Sequence, residues 1–199
     1  MKHTLTALAA ILVLSCAQAA QAAPMIFTAS LSGPNEAPPN ASPGTGSTIV
    51  AYDPVAHTLQ VHVDFTGLTG ITTASHIHCC TAVPFVSTAG IATVTPSFTG
   101  FPLGVSAGTY DSPIFDLTTV AGFNGAFVTA NGGTPASAEA ALLAGLLGNR
   151  SYLNVHTSTF GGGEIRGFLV FVPEPVTLSV FGAGLAGVAL LRRRRKQKA

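Results

Sequence analysis

Apolar residues are distributed along this chain in two ways. Near each end they form near-continuous runs, Leu5 to Leu14 and Val176 to Leu191. Between residues 24 and 172 they alternate or come in short bursts bounded by Gly, Pro, Asn and Ser. Leu59, Val61, Val63 and Phe65 alternate with Gln60, His62 and Asp64, the period of two that buries one face of a strand. The same reading predicts strands over 26–31, 47–52, 59–65, 74–79, 90–95, 152–157 and 164–171. Pro34, Pro38, Pro39 and Pro43 mark an extended loop after the first of them. One helix is predicted: Thr134 caps it, Pro135 takes the first position, residues 136–147 follow and Gly148 ends it. Seven or more short strands with one short helix predict an all-β fold, an antiparallel β-sandwich. About 150 residues are enough to bury a sizeable core.

The two apolar runs call for a different account. Lys2 and His3 precede ten apolar residues, and Ala17-Gln18-Ala19 and Ala20-Gln21-Ala22 follow. This is the pattern of a signal peptide over residues 1–22, cut by signal peptidase after Ala22, with Ala19 as the other site. Ten residues are too few to cross about 30 Å of hydrocarbon. Val13-Leu14-Ser15-Cys16 offers lipidation of Cys16 as an alternative. At the other end, Pro173, Glu174 and Pro175 close the last strand, because neither proline can donate to a ladder. Residues 176–191 then form a transmembrane helix of about 24 Å, and 192–198 a basic tail that the positive-inside rule keeps in the cytoplasm.

Charge changes the picture once these ends are set apart. The net charge of +1 hides a domain, residues 23–172, holding only Arg150 and Arg166 against seven carboxylates, a net of −5 with neutral His. Such a surface offers no footprint for nucleic acid.

The ordered end, Pro173-Glu174-Pro175, apolar helix and arginine cluster, resembles the PEP-CTERM sorting signal of Gram-negative bacteria. The resemblance covers residues 172–198. It implies processing by an exosortase, transient anchoring in the inner membrane, and a final place at the cell surface or outside the cell, in biofilm-forming bacteria that make exopolysaccharide. An ordinary single-pass anchor is the plainer reading of the same residues.

Three segments of the domain resemble the CHRD family. They are Leu31-Ser32-Gly33-Pro34-Asn35-Glu36-Ala37-Pro38-Pro39, Ala74-Ser75-His76-Ile77-His78, and Tyr152-Leu153-Asn154-Val155-His156-Thr157 followed by Gly163-Glu164-Ile165-Arg166-Gly167. Their order and spacing match that family across nearly all of 26–171. The resemblance implies an all-β extracellular domain of largely undefined molecular function. Two departures stand out: Cys79 and Cys80 follow the His-x-His where the family often has Gly, and Phe168 stands where Gln is common.

The candidate chemistry sits in those segments. His76 and His78 share one face of a strand, and Ile77 takes the other. With Ile77 in the core, both imidazoles lie outside it or at a sheet end. Tyr152, Asn154 and His156 likewise share a face, as do Glu164, Arg166 and Phe168. A hairpin through residues 158–163 that keeps Val155 and Ile165 in the core has a register placing His156 opposite Glu164 and Asn154 opposite Arg166. Asn154, His156, Glu164 and Arg166 would then form one polar cluster. Two His of one strand and a third, His76, His78 and His156, can bind Zn²⁺ or Cu²⁺ as neutral imidazoles; a structural hydrogen-bond network is the other reading. Cys79 and Cys80 suit a vicinal disulfide in an oxidising compartment, soft metal ligands beside the His-x-His, or intermolecular bridges. No nucleophile elbow, phosphate loop or carboxylate pair is visible. The sequence therefore favours a non-enzymatic surface or matrix protein that binds a surface protein or exopolysaccharide, with a metal-binding and redox-capable protein as the alternative.

Overall fold

The computed structural model describes residues 23–173 and Gly184. The expected signal peptide over 1–22, Glu174 and Pro175, the expected transmembrane helix over 176–191 apart from Gly184, and the basic tail lie outside the described residues. Among the described residues, no helix is long and apolar enough to cross a membrane.

Nine strands form one antiparallel, curled sheet, the all-β architecture the alternation predicts. They are β1 Met25–Ser32, β2 Thr45–Asp53, β3 Thr58–Thr66, β4 Thr72–His78, β5 Gly108–Asp111, β6 Phe115–Asp116, β7 Tyr152–Thr157, β8 Ile165–Phe168 and β9 Val170–Val172. The main path runs β4-β7-β8-β1-β2-β3-β5, with β6 against β3 and β9 against β1. In β3 the four predicted residues Leu59, Val61, Val63 and Phe65 are buried, and they pack with Phe27, Leu31 and Val50 of β1 and β2.

Four details depart from the sequence expectation. The last predicted strand is broken at Leu169, whose N–H turns to the Ser151 carbonyl. Residues 90–95 form no strand and make only an isolated bridge, His78 to Ile91. They belong to a long irregular segment that lines the outer edge of β4 with a mixture of backbone and hydroxyl bonds. Ala92 N–H donates to Ile77 O, Phe98 N–H to Ser75 O, Ile77 N–H to Thr93 Oγ1 and Ser75 N–H to Ser97 Oγ. This segment covers the edge that pairing would otherwise expose. The short strands β5 and β6 carry too few alternating positions to be read from sequence.

The fourth departure is a second short helix. The predicted helix, α2 Pro135–Leu147, has Thr134 and Ser137 in a reciprocal capping box, and α1 Gly125–Ala130 precedes it, capped by Asn124. Ala138, Leu142 and Leu146 bury the inner side of α2. Glu139 fastens it to the β2–β3 hairpin, accepting from Tyr52 Oη at 2.7 Å and lying 2.9 Å from His57 Nδ1.

Candidate metal centre

Strands β4, β7 and β8 are buried on both faces. Ile77, Leu153, Val155 and Ile165 take the core side. The other side carries His76 and His78 from β4, Tyr152, Asn154 and His156 from β7, and Arg166 and Phe168 from β8. Cross-strand pairing sets them in rows: His78 beside Tyr152 beside Phe168, and His76 beside Asn154 beside Arg166. His156 stands next along β7, opposite Ala74. The imidazoles were expected outside the core, and they are, but not in solvent. His76 and His78 are buried and His156 half-buried, and Phe85, Ser87, Ala89 and Pro96, from the segment after β4, lie against this face.

The three rings pack with centroids 5.3–5.9 Å apart. Each spends one nitrogen on a backbone carbonyl: His76 Nε2 on Pro96 O at 2.7 Å, His78 Nδ1 on Ala89 O at 2.9 Å, and His156 Nδ1 on Gly161 O at 2.9 Å. A carbonyl only accepts, so those nitrogens carry the hydrogens and the tautomers are fixed. The other nitrogens, His76 Nδ1, His78 Nε2 and His156 Nε2, are buried lone pairs without a partner. One nitrogen from each ring lies within 4.8 Å of one from each of the others. Burial holds all three imidazoles below their ordinary pKa, and His78 falls to about 4. They are therefore neutral at physiological pH, the state in which imidazole binds a metal. An N–H given to a carbonyl behind each ring is how proteins orient histidine ligands.

The surroundings of the cluster extend along the same rows. The Tyr152 ring stacks on His78 at 4.8 Å and 5°, and the Arg166 guanidinium lies 4.6 Å from the Tyr152 ring centroid on the cation–π pattern. Arg166 donates to Asn35 O and Ser87 O and lies 3.9 Å from Glu36 Oε2. Burial raises the Glu36 carboxyl to about 7 against the opposing pull of Arg166. Asn154 Nδ2 reaches Glu36 Oε2 at 3.4 Å. A cleft of about 450 Å³ opens beside Arg166 and Glu36, walled by Phe85, Ser87 and Phe168.

Two of the sequence expectations need correction. Asn154 does face Arg166 in the anticipated register, but Glu164 leaves the cluster. Val155 O accepts from Glu164 N–H while Val155 is paired with Ile165. Two residues therefore oppose one, as in a β-bulge, and the bulge turns Glu164 to the Ile165 side. There it is fully buried among donors, Ser42 Oγ, Thr69 N, Gly70 N and Thr157 Oγ1. Burial raises its pKa, but these four bonds outweigh it and the net shift is downward. The polar cluster of Asn154, His156, Glu164 and Arg166 is thus two separate networks.

The second correction concerns Cys79 and Cys80 as ligands. They are joined to each other as a vicinal disulfide and lie against α2, both sulfurs facing the Ala141 carbonyl. They stand outside the histidine cluster. Gly145 makes room for them, since a side chain there would run into both sulfurs.

Sequence reasoning passed over Glu36 and Tyr152 as site residues. Glu36 follows the Gly33–Asn35 turn of 3-10 helix, and it is the one carboxylate in a Pro-rich loop, a signal that could have singled it out. The three segments Leu31–Pro39, Ala74–His78 and Tyr152–Gly167, far apart in the chain, thus meet at one site. A family model described as the CHRD domain matches residues 27–169. The chain belongs to the CHRD domain family. No curated protein and no solved structure matches it. The CHRD domain here is an extracellular-type interaction domain, and its most distinctive chemistry is a cluster of three neutral imidazoles, each with one buried nitrogen that lacks a partner.

Proposed function

We propose that this is an exported CHRD-family protein of the cell surface or extracellular matrix, whose domain binds a transition-metal ion, Zn²⁺ or Cu²⁺, through His76, His78 and His156. One observation carries the reading. Each of the three rings has one nitrogen tied to a backbone carbonyl and the other buried without a partner, and one nitrogen of each ring lies within 4.8 Å of one of each of the others. A structural network would pair those lone pairs with donors, since a buried acceptor left unmade costs about 1–3 kcal/mol. In this reading the domain binds and does not catalyse. The metal organises a surface that meets a neighbouring protein or exopolysaccharide, and nucleic acid is no partner of so acidic a domain.

The experiment is a thermal melt of the full-length chain in detergent, first with EDTA, then with Zn²⁺ or Cu²⁺. Cys79→Ser/Cys80→Ser is run in parallel, because thiols alone bind these metals. An ion at 100-fold its dissociation constant adds about 2.7 kcal/mol by mass action. No metal-dependent shift, together with well under one equivalent of bound metal, overturns the reading.

Export rests on the two ends of the sequence. Signal peptidase should expose Ala23 or Ala20, which N-terminal sequencing of the envelope fraction reads directly. Exosortase should act at Pro173-Glu174-Pro175, so Glu174→Ala should accumulate as a membrane-held precursor. Maturation of that variant at the normal rate would refute sorting by this signal.

A further inference from the structure

The acceptors in this site outnumber what three histidine ligands account for. Besides the three imidazole lone pairs, Asn154 Oδ1 and Glu36 Oε1 are buried without a partner. They are not scattered. Asn154 is directly opposite His76 across the β4–β7 pair and two residues from His156 on the same face. Its amide nitrogen reaches Glu36 at 3.4 Å, and Glu36 lies against Arg166. Two of the Arg166 donors are committed elsewhere: Nε and Nη1 go to Asn35 O and Ser87 O. The site therefore holds five buried acceptor atoms that lack a partner, three imidazole nitrogens and two side-chain oxygens.

A four-coordinate ion with three protein ligands keeps one position for solvent. A water in that position offers two hydrogens, the number of oxygen acceptors left over. The charge balance points the same way. Three neutral imidazoles offset none of the ion's charge, the cysteines are bound to each other, and among the described residues no carboxylate joins the ligand group. Glu36 is the carboxylate that Asn154 reaches, and Arg166 beside it opposes its charge. A buried, uncompensated divalent charge is costly, and an anionic fourth ligand relieves it.

We infer that the His76–His78–His156 centre is open: its fourth position holds a water that donates to Asn154 Oδ1 and Glu36 Oε1 and that exchanges for a small anion. The inference rests on the metal reading above and adds to it an exchangeable ligand and two residues that position it. Glu36 and Asn154 are positioning residues; they hold the water and do not ligate the ion.

Cobalt separates the two ideas. The full-length Cys79→Ser/Cys80→Ser chain is loaded with Co²⁺, whose visible d–d bands report ligand exchange, and titrated with sodium azide. An open centre gives a saturable change in those bands. Azide brings no hydrogens for Asn154 and Glu36, so it forfeits the bonds the water makes. Glu36→Ala and Asn154→Ala should keep Co²⁺ affinity within about threefold and bind azide about tenfold more tightly, the loss of one hydrogen bond to a charged or buried group. A Co²⁺-loaded protein whose spectrum ignores azide is a closed site and overturns the inference. So do variants, folded by circular dichroism, whose azide affinity equals that of the parent. Glu36→Ala suffices for this comparison where Asn154→Ala does not fold. Failure to take up Co²⁺ at all sinks the metal reading itself.

Discussion

Two buried polar clusters lie on opposite sides of the β7–β8 pair, and each contains one carboxylate. Glu164 is surrounded by donors, two backbone N–H groups and two hydroxyls, and its pKa falls below the ordinary value although it is fully buried. Glu36 has a weak amide contact from Asn154, the Ala37 N–H and a guanidinium 3.9 Å away, keeps one oxygen orphaned, and rises to about 7 under the burial that dominates it. The histidines beside Glu36 repeat its condition, each with one nitrogen satisfied and one not. Burial alone does not distinguish the two clusters. Donor supply does. A saturated cluster is complete as folded and reads as architecture, tying the loop at 42 and the turn at 69–70 to β7. A cluster rich in acceptors and poor in donors is incomplete without something electrophilic.

The contrast predicts its largest effect at Glu164. Glu164→Ala strands four donors at once and should cost roughly 3–5 kcal/mol in urea denaturation, while leaving metal uptake per folded molecule unchanged. Glu36→Gln should cost far less in the metal-free protein. Equal losses from the two would erase the distinction drawn between the clusters.

Metal dependence comes next. His78→Ala should remove the stabilisation of about 2.7 kcal/mol expected from saturating Zn²⁺. Without metal its melting temperature should fall only modestly, since the ring is stacked on Tyr152 but leaves one nitrogen unbonded. A variant that still gains stability from Zn²⁺ would place the ion elsewhere.

Acid should then act on the two clusters in different windows. In the metal-free protein the three histidines fold with lowered pKa values, His78 at about 4. The unfolded chain binds more protons as pH drops below about 6.5, so stability falls from there toward pH 4. Glu164, lowered in the fold, adds a further loss as pH falls through its folded pKa. Glu36 runs the other way. Its folded pKa of about 7 lies above the ordinary 4.5, so it withdraws stability as pH rises between those values. Denaturation across pH 4–8 should therefore show Glu36→Gln gaining on the parent as pH rises to about 7, then running parallel. A constant difference across that range would contradict the donor shortage at Glu36.

The smallest effect marks the outer limit of the comparison. His62 bridges Asp64 and Asp111 at 3.0 and 2.7 Å, but on the exposed face of β3. Water can replace those partners, so His62→Asn should leave the melting temperature nearly unchanged at neutral pH. A loss as large as that of Glu164→Ala would mean that geometry outweighs burial here.

Much of the fold was legible because it depends on local periodicity. Leu59 to Phe65 announce their strand by alternation, and Thr134, Pro135 and Gly148 bracket α2 by capping chemistry alone. The short β5 and β6 were not legible, since four and two residues carry too little pattern to stand out. The shared face of His76 and His78 follows from a spacing of two, and the hairpin register that sets Asn154 against Arg166 is one of those that keep Val155 and Ile165 buried.

What the sequence determined by itself, then, was which side chains share a face, because strand geometry is a property of neighbouring residues. It could not decide which of those side chains would be satisfied. That depends on groups brought from elsewhere in the chain. The carbonyls of Pro96, Ala89 and Gly161 select the histidine tautomers. The bulge at Glu164 swings that carboxylate to donors at 42, 69 and 70. The Asn35–Glu36 turn sets a carboxylate over Arg166. Hydrogen-bond satisfaction is a tally over all neighbours in space, and only the tertiary structure assembles those neighbours.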